Sequence, residues 1–293
     1  MSASDVVPGE AGEPPFSRVG IFGLGLIGGS IALGARRAWP NITLVGFDRS
    51  RETLEAARGT VVHETVPSLG ALASCDLIVL AIPVNAIVEL MPALARVETR
   101  AVITDVGSTK RQVIAAARAA GVTSFVGGHP MGGSAHVGLE FARPEMFVTR
   151  PWLFVSQTAA PPASASRLDG FARGLGATPH WFDADAHDRA VAYVSHLPQL
   201  MAVALMNAAE SSVGADGGLT AVGRAFTEMT RLASSPSGMW VDIMASNGDF
   251  VAEALKALVA HLPSESDLRD GAWVRESFAR AGAARMKHGV RSE

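Results

Sequence analysis

The sequence predicts an α/β fold: a doubly wound, mostly parallel sheet in the N-terminal part, followed by an all-helical C-terminal domain. Three observations carry this. Short apolar runs alternate with helical segments from Arg18 to Phe182, the pattern of strands joined by crossover helices. A glycine-rich turn, Gly23 to Gly28, separates the first strand from the first helix. From Ala186 onward the strand pattern stops, and long Ala/Leu/Met-rich segments replace it.

Taken in order, Arg18 to Phe22 reads as a short buried strand and Ser30 to Arg37 as the helix after the glycine turn. Ile42 to Phe47 is a second strand and Arg51 to Ala57 a helix. Leu77 to Ile82 is apolar throughout, as a strand covered on both faces should be. Ala101 to Thr104 is a fourth strand, Lys110 to Ala120 a helix, and Ser124 to Gly127 a short extended segment. Leu153 to Ser156 and Pro179 to Phe182 are later strands, with a helix from about Arg167 to Leu175 between them. The helical segments beyond are Arg189 to Ser211, Arg224 to Ala233, Met239 to Ala260 and Ala272 to His288. They carry more apolar positions than one helical face needs, which predicts burial on several sides and a homodimer. The division expected is a disordered tail over 1–17, a dinucleotide-binding domain over 18–183 and a helical substrate-binding and dimerisation domain over 184–293.

Composition narrows the function. With 293 residues, 48% hydrophobic and 18% charged, the chain can bury a large core. A net charge of −3 without a basic run excludes a polyanion-binding surface, so nucleic acid is not expected as a partner. The run Leu77 to Leu90 is interrupted by Pro83, Asn85 and Glu89 and is too short to span a bilayer. The first fifteen residues lack the apolar stretch of a signal peptide. A soluble cytoplasmic protein follows, and the single cysteine, Cys75, fits that compartment. Cys75 reads as a small buried side chain with no nearby cation to activate it. No His/Cys/Asp cluster has metal-ligand spacing, so no metal is expected.

Gly23-Leu24-Gly25-Leu26-Ile27-Gly28 matches the dinucleotide fingerprint of Rossmann-type folds. Gly23 makes the tight turn, Gly25 lets the backbone approach the pyrophosphate, and Gly28 lets the helix pack against the strand. The helix N-terminus offers free N–H groups to the phosphates. The second strand ends at Asp48, at the spacing of an acid that binds the adenosine ribose. A turn or capping acid is the plainer reading of Asp48. As a ribose ligand it favours NAD over NADP, with Arg49 beside it softening the preference. Pro83, after the third strand, joins the cofactor-binding set.

Four segments resemble the prephenate/arogenate dehydrogenase family. They are Gly23 to Ser30; Asp105-Val106-Gly107-Ser108-Thr109-Lys110; Gly128-His129-Pro130-Met131-Gly132-Gly133-Ser134; and a helical set. That set comprises His187-Asp188, Ser195-His196-Leu197-Pro198, Thr230 to Ser235 and Met239-Trp240. The resemblance covers about Arg18 to Asn247 and implies the stand-alone form, without a regulatory or mutase domain. It implies hydride transfer from C4 of a cyclohexadienyl substrate to NAD, with loss of CO2 from C1 and aromatisation of the ring.

The resemblance makes His129 the base at the C4 hydroxyl, where a lone loop histidine would otherwise be read as structural. Ser108 would orient that base and touch substrate and cofactor; a helix N-cap is the alternative. Arg231 would clamp a substrate carboxylate, against the plainer reading of a salt bridge to Glu228 or Asp242. His187 and His196 are placed near the cleft. Nine residues apart, they should lie on opposite faces of a continuous helix and not act as a pair. Trp240 resembles a cleft residue beside the substrate side chain, with a core role as the alternative. Two departures fall where the substrate is read: Gln199 stands where many members have histidine, and the segment before Thr230 reads Gly223-Arg224-Ala225-Phe226-Thr227-Glu228. They leave prephenate, arogenate and 4-amino-4-deoxyprephenate open. A β-hydroxyacid dehydrogenase would need a catalytic lysine in a glycine-rich helix, and Lys110, Lys256 and Lys287 do not fit that position. A non-catalytic NAD-binding sensor would be expected to lack a base at His129.

Overall fold

A computed structural model describes residues 12–133, 136–158 and 162–289 of the chain. The strands are β1 (Arg18–Phe22), β2 (Thr43–Phe47), β3 (Glu64–Thr65), β4 (Leu77–Leu80), β5 (Val102–Asp105), β6 (Phe125–Pro130), β7 (Pro151–Val155) and β8 (Thr178–Phe182). The helices are α1 (Leu26–Ala38), α2 (Arg51–Ala57), α3 (Val84–Leu94), α4 (Arg111–Ala120), α5 (Ala165–Gly174), α6 (Ala184–Val191), α7 (Leu197–Ala209), α8 (Arg224–Thr230), α9 (Ser237–Val259), α10 (Glu265–Arg269) and α11 (Gly271–Lys287). The strands form one sheet in the order β3-β2-β1-β4-β5-β6-β7-β8. Every neighbouring pair is parallel except β6 and β7, which run antiparallel.

The alternation along each strand decides which face it serves. On β1, Val19 and Ile21 join one core layer with Ile31 and Ala35 of α1 and Phe171 of α5. On β4, Ile78 and Leu80 join the opposite layer with Ile87 and Met91 of α3 and Val113 and Ile114 of α4. Both faces of the sheet are therefore covered, and β4, β5 and β6 are buried along their whole length.

Three expectations are corrected. The segment after Leu80 contains α3, which the sequence reading did not separate from the strand. Its buried residues Val84, Ile87, Met91 and Leu94 follow the helical period, and Pro83 stands at its N-cap. Of the tail expected over 1–17, residues 1–11 lie outside the described residues, and Phe16 is fully buried in the core. Asp76 accepts hydrogen bonds from the Ser17 and Arg18 backbone N–H groups. Cys75 does lie near a cation, Arg18, yet burial outweighs its pull and pushes the thiol up to about 11.

Beyond β8 the described chain is helical, beginning with α6, whose N-cap Asp183 accepts from Ala186 N. The chain divides into two compact units between Val251 and Ala252. Within the single chain neither α8 nor α11 has a buried residue.

Candidate active site

The parallel strands bring the sequence motifs to one edge. Gly23 follows β1, Asp48 follows β2, Pro83 follows β4, Ser108 follows β5, and His129 lies at the end of β6. Strand order reverses direction between β1 and β4, and the crevice outside such a switch point is where open α/β sheets bind nucleotides.

The glycine turn fits a dinucleotide. Gly23 adopts φ +103°, and a Cβ there would sit 2.3 Å from the Ala81 carbonyl oxygen. A Cβ on Gly28 would fall 1.9 Å from the Gly23 oxygen, so only glycine lets α1 start this close to β1. At Gly25 a Cβ would meet nothing within 4 Å, leaving the backbone open to a ligand. The N-terminus of α1 has no side-chain cap and no acid in its first turn, so its free N–H groups suit a phosphate. The hydrogen bonds of Asp48 show the plainer of its two readings, a turn acid. One carboxylate oxygen accepts from Leu24 N at 2.8 Å and the other from Ser50 N at 2.9 Å, which braces the turn. The Leu24 side chain is buried in the core, so this residue faces a cofactor through its backbone alone.

His129 lies behind this edge and is 8% exposed. Its Nδ1 is 3.0 Å from His187 Nε2, and His187 Nδ1 is 2.8 Å from Asp188 Oδ1. The carboxylate can only accept, so His187 carries its hydrogen on Nδ1 and accepts at Nε2. His129 then donates from Nδ1 and keeps an unprotonated Nε2. Burial, reinforced by His187, Lys110 and His196, holds the His129 imidazole well below the usual histidine value. Burial also lowers His187, against the opposing pull of Asp188. For Asp188 burial works against ionisation, but hydrogen bonds from His187 and from the Lys110 and Arg111 N–H groups prevail and lower it. Asp188 thereby caps α4 from another part of the chain.

Beneath His129 lies a fully buried ion pair between Lys110 and Asp105. Burial lowers the lysine and Asp105 counters it. Asp105 also accepts from Gly128 N at 2.9 Å, tying the pair to β6. A Cβ at Gly127 would meet the Lys110 stem at 2.9 Å and one at Gly128 the Asp105 carbonyl oxygen at 2.4 Å, which accounts for the glycine pair before the histidine.

Ser108 is half-buried and makes no hydrogen bond among the described residues. It is not the helix cap, because α4 begins after Lys110 and Asp188 takes its N–H groups. Arg231 is exposed and forms no ion pair among the described residues. The acids considered for it are engaged elsewhere: Glu228 with Arg224 at 2.6 Å and Asp242 with Asn85 at 2.7 Å. Gln199 is buried and donates to the Leu232 carbonyl at 2.8 Å.

His187 and His196 make no direct hydrogen bond to each other, but the helix between them is not a continuous α-helix. The chain winds as a π-helix over Ala192–His196, packing more residues into the turn and rotating His196 back. Both histidines reach one buried cluster, where Asn247 Nδ2 lies 2.8 Å from the Asp188 carbonyl oxygen and 3.2 Å from His196 Nδ1. Trp240 stands edge-on to His196, with ring centroids 6.1 Å apart. Asp188, Asn247, Lys110 and Arg111 are cluster members that the sequence reading assigned no role. Asp105, Lys110 and Asp188 lie inside the quoted motifs; nothing in the sequence marked Asn247.

A dinucleotide crevice at the switch point of a doubly wound sheet, with a neutral buried histidine at the same edge, defines a nicotinamide-dependent dehydrogenase with a helical second half. The chain belongs to the prephenate dehydrogenase family. Residues 31–178 match the family model for the nucleotide-binding domain of prephenate dehydrogenase, and residues 183–268 that for its dimerization domain. The first match begins after the fingerprint, so the glycine turn stands on its geometry. A prephenate dehydrogenase of Lactococcus lactis subsp. cremoris is 30% identical over 255 residues, covering 83% of this chain and 68% of the relative. A cyclohexadienyl dehydrogenase of Zymomonas mobilis is 26% identical over 287 residues, covering 92% and 96%. The crystal structure of the Aquifex aeolicus prephenate dehydrogenase, in complex with hydroxyphenyl propionate and NAD+, superposes with a TM-score of 0.81 at 24% identity, covering 93% and 97%. At that identity the likeness carries the fold.

Proposed function

We propose that this chain is a prephenate dehydrogenase that oxidises and decarboxylates prephenate to 4-hydroxyphenylpyruvate, on the route to tyrosine, with NAD as cofactor. The observation that carries the reading is the hydrogen-bonded series His129–His187–Asp188, which leaves His129 Nε2 as an acceptor at the dinucleotide edge.

NAD, when bound, accepts the hydride that leaves C4. His129 Nε2 takes the proton of the C4 hydroxyl, so a ketone-like C4 forms as the hydride departs. The positive charge that His129 gains is shared along His187 toward the Asp188 carboxylate. CO2 then leaves C1, the electrons of the broken bond pass through the ring to the C4 oxygen as the ring becomes aromatic, and that oxygen takes its proton back from His129. Ser108, without a hydrogen-bond partner among the described residues, contacts the C4 hydroxyl and orients it. Arg231 holds a substrate carboxylate, and His187, His196, Gln199 and Trp240 complete the substrate side. Gly23 to Gly28, Asp48 and Pro83 hold the cofactor. Residues 18–183 act as the dinucleotide-binding domain and 184–293 as the substrate-binding and dimerisation domain of a homodimer. The compartment is the cytoplasm.

The test mixes purified protein and NAD with prephenate, arogenate or 4-amino-4-deoxyprephenate and follows NADH absorbance. Prephenate turnover is expected, and His129→Asn should lower kcat by roughly 10²–10⁴. Turnover of an aminated substrate alone would move the assignment to that sibling. Near-normal turnover by His129→Asn would remove the base from the scheme.

A further inference from the structure

Asn247 interrupts α9: its φ/ψ of −136°/16° lie outside the helical region, and the residue is fully buried. Its hydrogen bonds admit one orientation of the amide. Arg111 Nη2 can only donate, and it donates to Asn247 Oδ1 at 3.1 Å. The Asp188 carbonyl oxygen can only accept, and it takes one hydrogen of Nδ2 at 2.8 Å. The other hydrogen of Nδ2 is left for His196 Nδ1 at 3.2 Å. His196 Nδ1 must therefore accept, which puts the ring hydrogen of the neutral imidazole on Nε2. Burial lowers the His196 pKa to about 4, so the ring is neutral near pH 7.

The Nε2 atom is itself buried and has no partner among the described residues. The Trp240 ring beside it also has a buried, unpartnered Nε1. Buried donors without acceptors are costly, and two adjacent ones favour an oxygen acceptor brought by a ligand. His129 and His196 are thus set in opposite senses. Asp188, through His187, leaves His129 with a lone pair at Nε2, whereas Arg111, through Asn247, leaves His196 with a hydrogen there.

We propose that Asn247 is a positioning residue that fixes His196 in the Nε2–H tautomer, so that His196 meets the cyclohexadienyl substrate as a neutral donor to a carboxylate oxygen. The identity of the ligand rests on the function proposed above; the tautomer does not. Arg111 is the anchor of this arrangement. It also pairs with Asp249 and contacts Asp188 with Nε at 3.3 Å, which holds the guanidinium in place across α4, α6 and α9. A leucine at 247 would leave His196 free to carry its hydrogen on either nitrogen. An aspartate would demand a hydrogen from Nδ1.

The experiment is a long-range 1H–15N spectrum of the 15N-labelled protein with NAD at pH 7, the His196 signals being assigned by their loss in His196→Gln. The unprotonated nitrogen should be Nδ1, and in Asn247→Asp that nitrogen should acquire a hydrogen. An unprotonated Nε2 in the unaltered protein overturns the proposal, and so does an unchanged His196 spectrum in Asn247→Asp. The unaltered protein decides the tautomer even if the variant does not fold. Asn247→Asp should also raise KM for prephenate roughly ten- to a hundredfold, with a smaller change in kcat. An unchanged KM with an altered tautomer overturns the contact with substrate. Absence of prephenate turnover in the unaltered protein would instead strike the proposed function, and the tautomer reading would stand apart from it.

Discussion

A charged imidazole at His129 would be buried and would sit among Lys110, His187 and His196, which is why its protonation is disfavoured. The sign of the pH dependence follows. A base held below its ordinary value of 6.5 stays unprotonated as pH falls through that value, so the acid limb of kcat/KM should lie below pH 6.5. Stability runs with the same groups. Between the folded value of His196, about 4, and the ordinary 6.5, the unfolded chain binds more protons than the native one. Stability is therefore full above that window and falls as pH drops through it. Thermal midpoints from pH 7 to pH 4.5 should fall less steeply in His196→Gln than in the unaltered protein; parallel curves would contradict the assignment. The identities of these histidines were legible in the motifs. Their protonation states were not, because the groups that set them come from residues as distant along the chain as Asp105, Asp188 and Asn247.

At the scale of elements, the turn between β1 and α1 separates two effects that a motif match merges. A methyl at Gly28 would collide with the Gly23 carbonyl, whereas one at Gly25 would enter open space. Gly28→Ala should thus destabilise the fold by about 1–3 kcal/mol, the usual cost of overpacking, and weaken NAD binding as well. Gly25→Ala should keep the thermal midpoint and lose affinity for NAD. Calorimetry beside a cofactor titration distinguishes them, and equal midpoints for the two variants would refute the division of labour. Every strand except the two-residue edge strand β3, and most helices of the sheet half, were legible because burial on both faces imposes continuous apolar runs and crossover helices impose spacing. The helix α3 was not read, since its apolar positions continue directly from those of β4. The π turn at Ala192–His196 was equally invisible, because it adds no sequence signal yet changes which side chains share a face.

Across the whole molecule, the helical half leaves apolar side chains uncovered. Met229 is 63% exposed, Met239 57% and Val241 65%, and along α11 Phe278 reaches 75%. Apolar side chains left uncovered in the single chain suit burial against a partner. Together with the match of residues 183–268 to a dimerization domain, it predicts the mass of two chains in solution. A single-chain mass at working concentrations, by light scattering, would show that these residues have another use. Among the described residues no helix is long and apolar enough to cross a membrane.

Local spacing and periodicity were enough to read the sheet and the glycine turn, and the resemblance of four segments pointed to the family and singled out His129, His187 and His196. These features depend on near neighbours in the chain, whose separation is printed in the order of residues. The tautomers, the buried Lys110–Asp105 pair, the capping of α4 by Asp188 and the role of Asn247 were decided by folding alone. They arise where groups up to 136 residues apart in the chain are brought together, and the direction of a hydrogen bond exists only once both of its ends are in place.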